Sequence, residues 1–97
     1  MLTMRMTRQA LEQYQHLQHE PGLQKRQKAV QKALQLLKNN SRHPSLQSHK
    51  FTSLKGPLGE EIFESYAEQN TPAAYRVFWY YGPENNQITI IAITPHP

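Results

Sequence analysis

The spacing of apolar residues changes period once along this chain, from helical before Asn40 to alternating after Glu60, and few folds accommodate that order. Ala10, Leu11, Tyr14 and Leu17 recur at helical spacing behind Thr7, a good N-cap, until Pro21-Gly22 break the chain. A second helix follows, with Leu23, Val30, Leu34 and Leu37 on one face and Lys25, Lys28 and Lys32 on the other, ending near Asn39-Asn40. Two helices joined by so short a break run antiparallel and need a third layer to cover their leucines. That layer has to come from downstream.

Residues 61–68, 74–81 and 87–94 supply it, each strand-like and each bounded by Pro, Gly or Asn. Gly82 to Asn86 reads as a hairpin loop, so the last two strands should pair antiparallel. Leu2, Met4 and Met6 alternate with Thr3 and Arg5, which predicts a short strand before the first helix. Residues 41–59 mix Ser, His, Pro and Gly as a loop does, with room for short extended pieces. A length of 97 residues encloses one hydrophobic core, so residues 1–97 form a single domain. The expected class is α+β: a short strand and an α-helical hairpin packed on one face of an antiparallel β-sheet.

Composition excludes several functions. The chain has no cysteine, hence no disulfide and no zinc site built on paired cysteines. All seven acidic residues are glutamate, which removes EF-hand calcium loops and Ser-His-Asp hydrolases. Nucleotide-binding glycine motifs are missing. His16 and His19 share a helix face without a third ligand, so a metal role is not implied. Met1 to Ala10 lacks the apolar stretch of a secretory signal, and no run approaches the ~18 apolar residues of a membrane span, so a cytoplasmic protein is expected.

Charge is divided unevenly. Residues 1–55 hold ten Lys/Arg against Glu12 and Glu20, a balance of +8; residues 56–97 hold Arg76 alone against five glutamates, a balance of −4. The basic half suits a polyanion or an acidic protein segment, and the lone arginine of the acidic half becomes a candidate for special work.

Alternation along Tyr75-Arg76-Val77-Phe78-Trp79-Tyr80-Tyr81 puts Arg76, Phe78 and Tyr80 on one face and Tyr75, Val77 and Trp79 on the other. If the Trp79 face covers the helices, Arg76 is left exposed beside two aromatic rings, an arrangement that suits RNA: phosphate meets the guanidinium and bases stack on the rings. The alternative is an arginine that snorkels or pairs with Glu64 across the sheet. Among Glu60, Glu61 and Glu64, a carboxylate fixed by Arg76 or a lysine would serve as a base; otherwise all three are solvated strand residues. His96, just past the last strand, is either a general acid or part of a frayed terminus. Lys50 and Lys55, in the loop entering the sheet, either hold phosphates at the Arg76 face or are inert surface lysines.

Leu54-Lys55-Gly56, then Ile62 to Glu68, then Tyr75-Arg76-Val77-Phe78, then Ile88 to Thr94 and His96 together resemble the core of the RelE/ParE superfamily of bacterial toxins. The specific motifs cover roughly residues 50–97; the first half agrees in architecture. The resemblance implies a toxin of a type II toxin–antitoxin system, a metal-free and cofactor-free endoribonuclease that cuts messenger RNA in the ribosomal A site by attack of a 2′-hydroxyl on the adjacent phosphate. Arg76 matches the sheet arginine of the Tyr-Arg-Val motif and would stabilise the transition state, with His96 as proton donor. Lys50 and Lys55 would hold the backbone, and Phe78 or Tyr80 would stack a base. The implied partner is a small acidic antitoxin. ParE-like members, which share the scaffold and poison DNA gyrase, and non-catalytic antitoxin-binding paralogues give the alternatives.

Overall fold

The structure is a computed structural model that describes residues 1–96. Its elements in chain order are β1 (Thr3–Met6), α1 (Arg8–His19), α2 (Gln24–Asn39), a 3-10 turn (Pro44–Leu46), β2 (His49–Lys55), β3 (Glu61–Tyr66), β4 (Tyr75–Tyr81) and β5 (Gln87–Pro95). They build one five-stranded sheet in the order β1-β5-β4-β3-β2, with the helices on one face. The α+β expectation holds. Two details differ from it: β1 runs parallel to β5, and β2 is a strand within the segment read as loop. β2 lies at the sheet's edge and is exposed along nearly its whole length, so no apolar alternation announces it.

Each helix boundary has a local cause. Thr7 caps α1 by accepting from the Ala10 N–H, and its own N–H donates to Ile90 O of β5 at 3.0 Å, so the cap also ties the helix to the sheet. Gly22, at φ 87, turns the chain between the helices in a conformation that a side chain would disfavour. α1 lies over β5 and α2 over β4. Leu17, Val30, Leu34 and Leu37 pack there against Val77, Trp79 and Ile88, Ile90 and Ile93 of β5. Full burial of each large side chain stabilises the fold by roughly 1.5–3 kcal/mol. Leu11, expected in this core, stays about half exposed.

A bulge in β5 resets its alternation. Phe78 faces Ala92 while Trp79 faces Ile90, leaving Ile91 as the extra residue. Ile88, Ile90 and Ile93 are thereby all turned to the helices, opposite Tyr81, Trp79 and Val77. The Ile93 N–H donates instead to Gln13 Oε1 of α1 at 2.7 Å. Among the described residues no helix is long and apolar enough to cross a membrane.

Candidate functional site

The sheet face turned away from the helices carries the chemistry. Register places Glu64 opposite Phe78 and Tyr66 opposite Arg76 across β3 and β4, with His49 of β2 opposite Glu64 on the other side. Directly opposed side chains share a face, so His49, Glu64, Tyr66 and Arg76 form one cluster. The Glu64 carboxylate is divided between two partners: Oε2 accepts from Arg76 Nη1 at 2.9 Å, and Oε1 lies 2.8 Å from His49 Nε2. The other His49 ring nitrogen lies 3.2 Å from the Gln47 carbonyl. The Arg76 guanidinium stacks 3.9 Å from the centroid of the Tyr66 ring, and the His49 ring meets Tyr66 edge-on.

Arg76 is therefore not the openly exposed cation that alternation alone suggests: its side chain is 14% exposed and shares a partly desolvated ion pair with Glu64. Among the described residues only its Nη1 is engaged in a hydrogen bond, and its Nε is buried without a partner. Donors remain for a further acceptor.

Next to this cluster opens a cleft of about 610 Å³, lined by Arg76, Tyr66 and His96 together with the 67–74 loop that joins β3 to β4. The loop is held from the helix layer. Arg26 of α2 donates to Ala73 O at 2.8 Å through Nη1 and to Pro72 O at 3.1 Å through Nη2, and its Nη1 lies 3.4 Å from Glu68 Oε1. Glu68 in turn accepts from the Tyr75 N–H at 3.0 Å. Between the two carbonyls that Arg26 grips, Ala73 sits at φ 55, which residues with a side chain rarely adopt. The Ala74 carbonyl then accepts from the His96 N–H at 2.8 Å. The exposed His96 side chain is thus tethered to the cleft by its own backbone rather than fraying away.

The remaining candidates are placed differently. Tyr80 does share the Arg76 face, but it is 3% exposed and has no surface on which to stack a base. Phe78 is half-buried, with the Phe51 ring edge-on to it at 5.0 Å. β2 supplies that cover, so its going unrecognised in the sequence explains why this face was expected to be open. Lys50 stands opposite Phe63 and Lys55 opposite Glu61, which puts both lysines on the helix side of the sheet, away from Arg76. Lys55 Nζ bonds Glu61 Oε1 at 2.8 Å, and this hydrogen bond, with the lysine's charge, holds the Glu61 carboxyl below the usual carboxylate range. Sequence reasoning thus brought Arg76 and His96 to one cleft, named Glu64 as an alternative partner of Arg76 and as one of three carboxylates that could serve as a base, and missed His49 and Tyr66. Among the described residues no three His, Asp or Glu side chains gather as a metal ion would require.

No family model matches the sequence, and no curated protein matches it. Solved structures do. The YoeB/ParE toxin from Agrobacterium tumefaciens superposes with a TM-score of 0.72 at 11% identity, over 99% of this chain and 100% of that one. The archaeal RelE-RelB complex from Pyrococcus horikoshii contributes a chain with a TM-score of 0.64 at 15% identity, covering 97% of this chain and 93% of its own length. A copper-bound mutant toxin from Helicobacter pylori follows at 0.60 and 12% identity, covering 99% and 96%. Nearly the whole chain has the RelE/ParE-type toxin fold.

Proposed function

We propose that a chain with this fold and this cleft is the toxin of a type II toxin–antitoxin pair and cuts messenger RNA in the ribosomal A site. The observation that carries the proposal is the convergence of Arg76, on β4, and His96, just past the end of β5, on one open cleft. An RNA phosphate entering it meets the unengaged donors of the Arg76 guanidinium, whose orientation Glu64 and Tyr66 already fix. The 2′-oxygen attacks phosphorus and forms the O2′–P bond while the P–O5′ bond breaks. Glu64, backed by His49, accepts the 2′-hydroxyl proton, and His96 donates one to the leaving 5′-oxygen. The products are a 2′,3′-cyclic phosphate and a 5′-hydroxyl end.

The partner in this proposal is a small acidic antitoxin. Supporting it are the RelE chain solved with RelB and the exposed Lys25, Lys28 and Lys32 face of α2. One observation favours a second reading: among the described residues Arg76 is the sole Lys or Arg lining the cleft, which gives a polyanion little to hold. A toxin that poisons a protein target such as gyrase, or a paralogue that only binds antitoxin, needs no such hold. Induced expression in a bacterial host, followed by mapping of 5′ ends on messenger RNA, separates these possibilities. Cuts confined to translated frames support the ribonuclease; intact messages with growth arrest, or with no effect at all, support the others.

A further inference from the structure

The strands carry four Lys or Arg residues, and the sheet sorts them by face. Lys50 and Lys55 stand on the helix side. Arg5 of β1 lies opposite Thr89 of β5, and Thr89 lies opposite Tyr80 of β4, so Arg5 shares the open face with Tyr80 and Arg76. Its neighbours Met4 and Met6 point the other way and pack on the core, as alternation requires. Arg5 is exposed and forms no ion pair among the described residues.

The carboxylates of the strands divide in the same way. Glu61 lies on the helix side with Lys55, and Glu64, on the open face, is held by Arg76 and His49. Among the described residues, Arg5 is therefore the strand cation of the open face whose charge no carboxylate answers. Between it and Arg76, β5 presents Thr89, Ala92 and Thr94, none larger than threonine. Thr89 and Tyr80 are closed off from solvent, at 0% and 3% exposure, so the ground between the two arginines is a solid floor rather than a hollow. Crossing from β1 to β4 and running from Tyr80 to Arg76 separates the arginines by roughly 16 Å between Cα atoms.

We infer that Arg5 is a second phosphate-holding residue, which grips the backbone of a single RNA strand a few nucleotides from the phosphate at Arg76. The inference rests on the reading of the Arg76 cleft as an RNA site, and it supplies a hold that the cleft lacks by itself. A guanidinium without a carboxylate partner meets a phosphate with no internal ion pair to break, whereas Arg76 is already engaged on one edge. Cations spaced along a floor closed to inserted side chains favour a polyanion whose charge repeats at every nucleotide. A peptide would need a pocket for an anchoring side chain.

The test follows the anisotropy of a labelled hexanucleotide, 2′-O-methylated so that it cannot be cut, as the full chain is added at several salt concentrations. A methylated dinucleotide, whose single phosphate reaches only the Arg76 cleft, serves as the short probe. Arg5→Ala should weaken the hexanucleotide severalfold at low salt and flatten its slope of log K against log salt by about 0.7, as loss of one single-strand phosphate contact does. The dinucleotide should bind Arg5→Ala and the unaltered chain alike. Arg5→Lys should restore the slope, since a phosphate also accepts a point charge, and Lys50→Ala on the helix side should change neither probe. Absence of salt-dependent binding, an unchanged slope in Arg5→Ala, or an equal loss in Lys50→Ala would each overturn the inference. So would an acidic peptide of the same charge that displaces the hexanucleotide with the same dependence on Arg5. The two readings fail separately: Arg5-dependent binding by a chain that leaves messages intact sinks the ribonuclease alone, and cleavage by a chain whose affinity ignores Arg5 sinks the second contact alone.

Discussion

Arg76 and Glu64 face each other across β4 and β3 on the open side of the sheet, Nη1 to Oε2 at 2.9 Å, with side chains 14% and 10% exposed. A carboxylate therefore holds the guanidinium by one edge, the way a phosphate would hold it by the other. The pair is both part of the fold and the centre of the candidate site.

Arg76→Ala should accordingly do two things. It removes the one guanidinium of the cleft, and loss of such a donor lowers kcat by about 10²–10³. It also leaves Glu64 with His49 as its only partner among the described residues, costing roughly 1–3 kcal/mol. Arg76→Lys keeps a charge near Glu64 and should recover most of the stability in a urea melt. It should not recover cleavage, because an ammonium lacks the planar fork that meets a carboxylate and a phosphate together.

Glu64→Gln separates a base from a latch. If Glu64 accepts the 2′-hydroxyl proton, single-turnover cleavage falls by about 10²–10⁴ while RNA affinity holds or rises as the guanidinium loses its anionic partner. A rate that rises along with affinity would show Glu64 to be a competitor for Arg76 and no base.

Arg26 should position the cleft without touching RNA. Arg26→Ala frees the Pro72 and Ala73 carbonyls that fix the left-handed turn at Ala73, and the wall that tethers His96 loosens with it. Hydrogen exchange should quicken across residues 67–74 and at the His96 amide, with a global loss of about 1–3 kcal/mol. Cleavage should fall more than RNA affinity, and Arg26→Lys should restore it only in part.

The Lys55–Glu61 pair predicts a small pH effect. Lys55 lowers the Glu61 pKa in the folded state, so the folded value lies below the unfolded one. The pair's contribution is present above the ordinary carboxylate pKa and is lost as pH falls through the lowered one. Both groups are exposed, so Glu61→Gln or high salt should flatten this part of the acid limb of a melting curve while leaving the neutral plateau nearly unchanged.

The helices and β3 to β5 were legible because each rests on a local signal: Thr7 as a cap, Pro21-Gly22 as a break, leucines at helical spacing, and alternation around Val77 and Trp79. β2 was not, since an exposed edge strand has no buried face to pattern. That single omission accounts for most of what was misplaced in the site. Without β2, His49 had no position, Phe51 could not be seen to cover Phe78, and Lys50 and Lys55 could not be assigned a face. Tyr80 was put on the correct side, but its burial depends on non-local cover that no periodicity reports. The Glu64–Arg76 pair was named as the alternative to an exposed arginine, because alternation along two adjacent strands places both on one face, and the structure has it; the register that makes them neighbours comes only with the sheet.

The most direct test is a translating extract supplied with purified chain and a defined messenger RNA, followed by end mapping. Cuts within translated codons, each bearing a 5′-hydroxyl, should accompany the wild-type chain and disappear with Arg76→Lys. Intact message under wild-type chain that still blocks gyrase supercoiling, or cleavage undiminished in Arg76→Lys, would contradict the proposal.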